Sequence, residues 1–162
     1  MSLPIAGKPR PSHPATHATL DLDRLMKLGV AVEDAAEDTD SELVTPVLID
    51  QLAEDLGERC ANLYAAAAMT TDLEFDRQHP VTFVFCAGGC QGWGALDNME
   101  LLLDLRRDRA EAGLPVFNVL AKNCLDRCQH APAVMMTSPD GTALLTEVTR
   151  EKLIEAVEGA CD

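Results

Sequence analysis

The stretch Val81-Thr82-Phe83-Val84-Phe85-Cys86-Ala87-Gly88-Gly89-Cys90-Gln91-Gly92-Trp93-Gly94 decides the fold. Its first five residues are β-branched or aromatic, the composition of a short buried strand. A cysteine ends the run, and glycines at 88, 89, 92 and 94 follow it. Beyond them Leu96, Met99, Leu102, Leu103 and Leu105 recur at helical spacing, which predicts a helix over Ala95–Ala112. Gly113 is placed to end that helix, and Pro115 follows it. The pattern is strand, cysteine-bearing glycine loop, helix.

Downstream, Val116–Leu120 predicts a second buried strand and Ala133–Thr137 a third. Ser138-Pro139-Asp140-Gly141 is a tight-turn sequence, so Thr142–Thr146 should return as a fourth strand in a hairpin. Thr149 can cap a last helix, Arg150–Ala160, that buries Leu153, Ile154 and Val157. The order β-α-β, long loop, β-β-α predicts an α/β fold of thioredoxin-like arrangement, with the middle helix replaced by a loop.

Upstream the composition changes. Residues 1–19 hold four prolines and two histidines without periodicity and read as a flexible arm. Residues 20–79 read as a helical region. Leu22, Leu25, Met26 and Val30 lie at helical spacing, and the acidic stretch Glu33–Glu42 should end that element. Residues 43–69 read as one longer helix with a stripe of Val44, Val47, Leu48, Leu52, Leu56, Leu63 and Ala67. Pro46 marks its first turn, and Gly57 weakens its middle. Residues 80–162 form the α/β domain.

The chain of 162 residues has a formal net charge of −14, and −11 of it falls within residues 21–80. That balance argues against a nucleic-acid partner. No apolar run is long enough for membrane insertion, and no secretory signal pattern is present. A cytoplasmic or organelle-interior location is the expectation.

Six cysteines are present, and four fall in two close pairs, which reads as metal or redox chemistry rather than a disulfide framework. Cys86 and Cys90 bracket the first strand's exit; Cys124 and Cys128 lie in the loop after the second strand. If those strands are parallel neighbours, both pairs emerge at one sheet edge, where ligands collect in open α/β sheets. Four thiolates there meet the requirement of a 2Fe–2S cluster. Gly88, Gly89 and Gly92 let backbone N–H groups approach sulfur, and the helix that starts near Gly94 turns its positive end toward the site. Lys122, Arg127 and His130 give the second pair a basic rim. Cys60 and Cys161 stand apart, and Cys60 reads as a buried small hydrophobe.

The segment Val81–Asp162 resembles the thioredoxin-like 2Fe–2S ferredoxins, and most closely the cluster domain of the small iron–sulfur subunit of NADH:quinone oxidoreductase. The likeness is carried by Val84-Phe85-Cys86, by Cys124-Leu125 with Cys128, and by Ala131-Pro132-Ala133-Val134-Met135-Met136. It implies that Cys86, Cys90, Cys124 and Cys128 ligate the cluster and that the protein moves single electrons. Its partner would then be a redox protein or a larger oxidoreductase complex, and a homodimer is a further expectation. The first pair here has three intervening residues, where the complex I subunit has four. Two alternatives stay open. The same spacing suits structural zinc, and a cysteine between strand and helix suits a thiol–disulfide protein.

Overall fold

The computed structural model describes residues 19–125 and 130–162. The elements in chain order are helices α1 (Leu22–Glu37), α2 (Pro46–Leu56) and α3 (Cys60–Thr70), strand β1 (Thr82–Cys86), a 3-10 turn (Gly89–Trp93), helix α4 (Ala95–Glu111), strands β2 (Asn118–Lys122), β3 (Val134–Ser138) and β4 (Gly141–Leu145), and helix α5 (Arg150–Cys161). The strands form one mixed sheet in the order β2-β1-β3-β4. β1 and β2 are parallel, with Thr82 opposite Asn118 and Cys86 opposite Lys122. β3 runs antiparallel to both β1 and β4. Ser138 and Gly141 close the expected hairpin turn.

Alternation along the strands separates two faces. Phe83, Phe85, Val119, Ala121 and Val134 join the main core with Met99, Leu102 and Leu103 of α4 and Leu153 and Val157 of α5. α4 lies against β1 and β2, and α3 packs on α4 and β2. The opposite face, carrying Val84 and Leu120, has instead the extended segment that follows α3 beside it. Buried Asn118 fixes the entry to the sheet. Its side chain donates to the His79 carbonyl (2.8 Å) and to Thr82 Oγ1 (2.9 Å), and accepts from the His79 N–H (3.1 Å).

Helix ends follow local chemistry. Asp21, Thr45 and Thr149 each accept a backbone N–H as N-caps of α1, α2 and α5. Pro46 opens α2 as the sequence suggests. The single helix expected over residues 43–69 is instead two. Gly57 adopts the left-handed conformation (φ 65°) and ends α2, and α3 starts afresh at Cys60. Apolar periodicity runs on through that break, which is why it read as one element.

The buried face of α1 also differs from the expected one. Leu25, Leu28, Val32 and Ala36 are buried, whereas Leu22, Met26 and Val30 are at least half exposed. Val47 and Leu56 of α2 are exposed too. Gly29 decides the orientation of α1. A Cβ at this position would lie 1.8 Å from Thr70 Oγ1, so α1 and α3 touch there through that hydroxyl, which any side chain at position 29 would have to displace. α1 does end inside the acidic stretch, as expected, at Glu37 with Asp38 as its C-cap.

Charge contributes little to holding the helices on the sheet. Arg59 pairs with Asp97 of α4 at 2.8 Å, but both side chains are largely exposed, and such pairs are worth at most about 1 kcal/mol. Apolar packing is the main cohesion: Val32, Ile49, Leu63 and Phe83 are fully buried in one shared cluster, each side chain contributing about 1.5–3 kcal/mol.

Gly29→Ala should therefore destabilise the protein by about 1–3 kcal/mol of overpacking, even though alanine favours a helix by about 1 kcal/mol over glycine. In a Thr70→Ala background the same change should lose most of its penalty. Denaturant midpoints of the four proteins check this, and equal penalties in both backgrounds would contradict it.

Candidate metal centre

The register of β1 and β2 brings Cys86 and Lys122 level at the carboxyl ends of two parallel strands. Pairing continues past the strand ends, because the Ala87 N–H donates to the Lys122 carbonyl at 2.7 Å. Gly88 then passes so close to the second loop that a Cβ on it would lie 2.4 Å from the Asn123 carbonyl oxygen. Only glycine fits this contact. The loop holding Cys86 and Cys90 and the loop holding Cys124 are therefore pressed together backbone to backbone.

Cys86 is fully buried, as is Cys90, and Cys124 is half-buried. Cys86 and Cys90 share a small cluster with Ala95 and Ala131, and Trp93 and Leu125 pack against it. The Cys86 Sγ lies 3.8 Å from the Asn123 carbonyl. Its thiol is lowered to a pKa of about 5. The Cys90 side chain, hydrogen-bonded to it, is the largest cause, and the backbone N–H groups of Gly88, Cys90 and Leu125 add to it against the opposing effect of burial. Three N–H groups from two loops thus converge on one sulfur, which is the chemistry that anionic sulfur needs.

The first loop is braced by a residue that the sequence reading did not single out. Gln91 is buried, and its amide donates to the Ala87 carbonyl at 2.6 Å. It accepts from the Leu20 N–H at 2.9 Å and reaches the Met69 sulfur at 3.7 Å. A polar side chain flanked by Cys90 and Gly92 was the available signal, but the partners that make it structural come from distant parts of the chain. Gly89 opens the 3-10 turn, Gly92 lies within it, and Gly94 (φ 93°) ends it and begins α4. Ala133 supports the site from below by accepting the Cys86 N–H at 3.5 Å, and the Ala131–Pro132 peptide that precedes it is cis.

The structure therefore brings Cys86, Cys90 and the Cys124 loop to one sheet edge. Cys128, with Arg127 of the expected basic rim, lies outside the described residues. Among the described residues no group of three or more His, Cys, Asp or Glu side chains is gathered closely enough to hold a metal ion. Two buried thiols, the polarising N–H groups and the glycine contact fit a thiolate-ligated group on the side that is described. Cys60 is elsewhere. It is buried beside Asp50 and Arg107, with its thiol pushed up to about 12 by burial and by the Asp50 carboxylate. It is buried, as expected, but its sulfur also takes part in hydrogen bonds with Asp50 and Arg107 rather than packing only against apolar groups.

In the metal-free, reduced protein, thiolate absorbance should appear with a midpoint near pH 5 as pH rises, while Cys60 stays protonated through neutral pH. Cys90→Ala should move that first midpoint upward, toward the ordinary thiol value. An unchanged midpoint would show that Cys90 does not polarise Cys86.

No protein-family model matches this chain, and none of the curated proteins compared with it matches either.

Proposed function

We propose that this protein is a thioredoxin-like electron carrier whose Cys86, Cys90, Cys124 and Cys128 hold a 2Fe–2S cluster. The observation that carries the proposal is the backbone-to-backbone closure of the two cysteine loops, at Gly88 and Asn123, beside the buried Cys86, where backbone N–H groups favour its thiolate. The strand order β2-β1-β3-β4, with the first pair parallel and the second antiparallel, agrees with a thioredoxin-like sheet. A bound cluster supplies one-electron chemistry. The chain's own residues have three tasks. The thiolates bind, the N–H groups of Gly88, Cys90 and Leu125 neutralise negative charge on sulfur, and Trp93, Leu125 and Ala131 keep water from the buried side. Hydrogen bonds to sulfur raise the reduction potential by stabilising the more negative state. With such a cluster held by these residues, the redox partner would be another protein or a neighbouring subunit of a larger oxidoreductase.

A second reading rests on the same low Cys86 value. A thiolate hydrogen-bonded to a neighbouring thiol between a strand and a helix also suits thiol–disulfide exchange. Burial weighs against it, because both cysteines are only 1% exposed and exchange needs an accessible sulfur. Zinc bound by the same four thiolates would instead leave a redox-silent protein.

Anaerobically prepared protein should be brown, with about two iron and two sulfide per chain, and should give an EPR signal on one-electron reduction. Ser substitution at Cys86, Cys90, Cys124 or Cys128 should each alter the spectrum, and Cys60→Ser should not. Stoichiometric zinc in iron-replete protein would falsify the cluster. A colourless, metal-free protein that reduces disulfides would favour the exchange reading.

A further inference from the structure

A cavity lies on the sheet face away from α4 and α5, with a volume of about 780 Å3. That volume is in the range of small-molecule sites. Its floor is made by Val84 and Leu120, which stand side by side on β1 and β2, with Met135 beside Val84 on β3. Its wall is the extended segment that follows α3, through Leu73 and Phe75. That wall is held in place. Phe75 stacks on buried Tyr64 with ring centroids 5.8 Å apart, and the Glu74 carbonyl accepts the Val44 N–H at 2.9 Å.

The two ends of this cavity carry cations. Lys122 stands at the carboxyl end of β2, level with Cys86. Arg77 comes from the opposite end, because His79, two residues on, is bonded to Asn118 at the start of β2. The four steps from Asn118 to Lys122 span roughly 13 Å at about 3.3 Å per residue. Both cations are exposed, and neither takes part in an ion pair among the described residues. Glu74 is the sole acid among the described lining residues. On a chain of net charge −14, an elongated trough of mixed lining with a cation at each end, neither in an ion pair with another described residue, is a local reversal of charge.

We infer that this trough binds an elongated organic carboxylate, its hydrocarbon body against the half-buried Leu73, Phe75 and Met135 and its carboxylate at Lys122 or Arg77. Apolar burial supplies the affinity, and the cations select an acid over a neutral chain of the same length. A second copy of this chain is the poorer occupant, since two chains that each carry a net charge of −14 repel one another overall. The inference is independent of what Cys86 and its neighbours bind, because the lining residues are present in the metal-free and the metal-loaded protein alike.

Calorimetric titration of the full chain with decanoate, below the concentration at which it forms micelles, tests this in both forms. One decanoate per chain is expected, with 1-decanol binding about tenfold more weakly, equivalent to about 1.4 kcal/mol. The Arg77→Glu, Lys122→Glu double variant should weaken decanoate binding by about tenfold or more, and Met135→Trp, which fills the trough, should abolish it. The two charge reversals are at exposed positions, so they remain informative if Met135→Trp does not fold. Equal affinity for decanoate and decanol, or decanoate binding unaffected by the double charge reversal, would overturn the inference. A dimer that Met135→Trp dissociates, in protein that binds no decanoate, would overturn it in favour of self-association.

Discussion

The parallel pairing of β1 with β2, carried one step beyond both strand ends, is the constraint on which the site depends. The bond from Ala87 N–H to the Lys122 carbonyl extends the ladder into the loops. Because Gly88 has no Cβ, the second loop can close on the first at Asn123. With that contact made, the N–H of Leu125 can reach a sulfur that belongs to the other loop. A one-residue shift of register would send Cys86 to the opposite face and separate the two loops chemically, whatever their spacing in the chain.

The amino-terminal helices stiffen this arrangement rather than lying apart from it. α3 packs on α4 and β2, and the main core runs without interruption from Leu25 of α1 to Val157 of α5. Gln91 adds a polar tie, joining the first cysteine loop to Leu20 ahead of α1 and to Met69 in α3. The extended segment after α3 then lies beside the second sheet face and makes one wall of the trough over Val84 and Leu120. The same helices present an acidic exterior, with Leu22, Met26 and Val30 exposed among those charges.

The amino-acid sequence by itself determined the elements whose signals are local. β1 was legible as a short run of β-branched and aromatic residues, and the hairpin from Ser138-Pro139-Asp140-Gly141; β2 was legible in kind but lies two residues beyond the expected Val116–Leu120, at Asn118–Lys122. The last helix was legible from its Thr149 cap, and α4 from its leucine spacing and the Gly113 stop. In each case the deciding forces act within a few residues, through turn conformations, caps and the two periodicities of side-chain direction. The candidate cysteines were legible for the same reason, since their pairing is a matter of short spacing.

Tertiary structure alone decided which faces are buried and what surrounds each sulfur. Leu22 and Leu25 are equally apolar, but only Leu25 is buried, because Gly29 sets how α1 lies on α3. The break at Gly57 was hidden, because a left-handed residue does not interrupt apolar periodicity. Gln91 as a brace, Asn118 as the clamp on His79, and the cations at the two ends of the trough all join residues about 40 to 70 positions apart or lie on segments without periodicity. Such contacts are fixed by strand register and by the close approach of backbones that glycine permits, and these are properties of the folded chain.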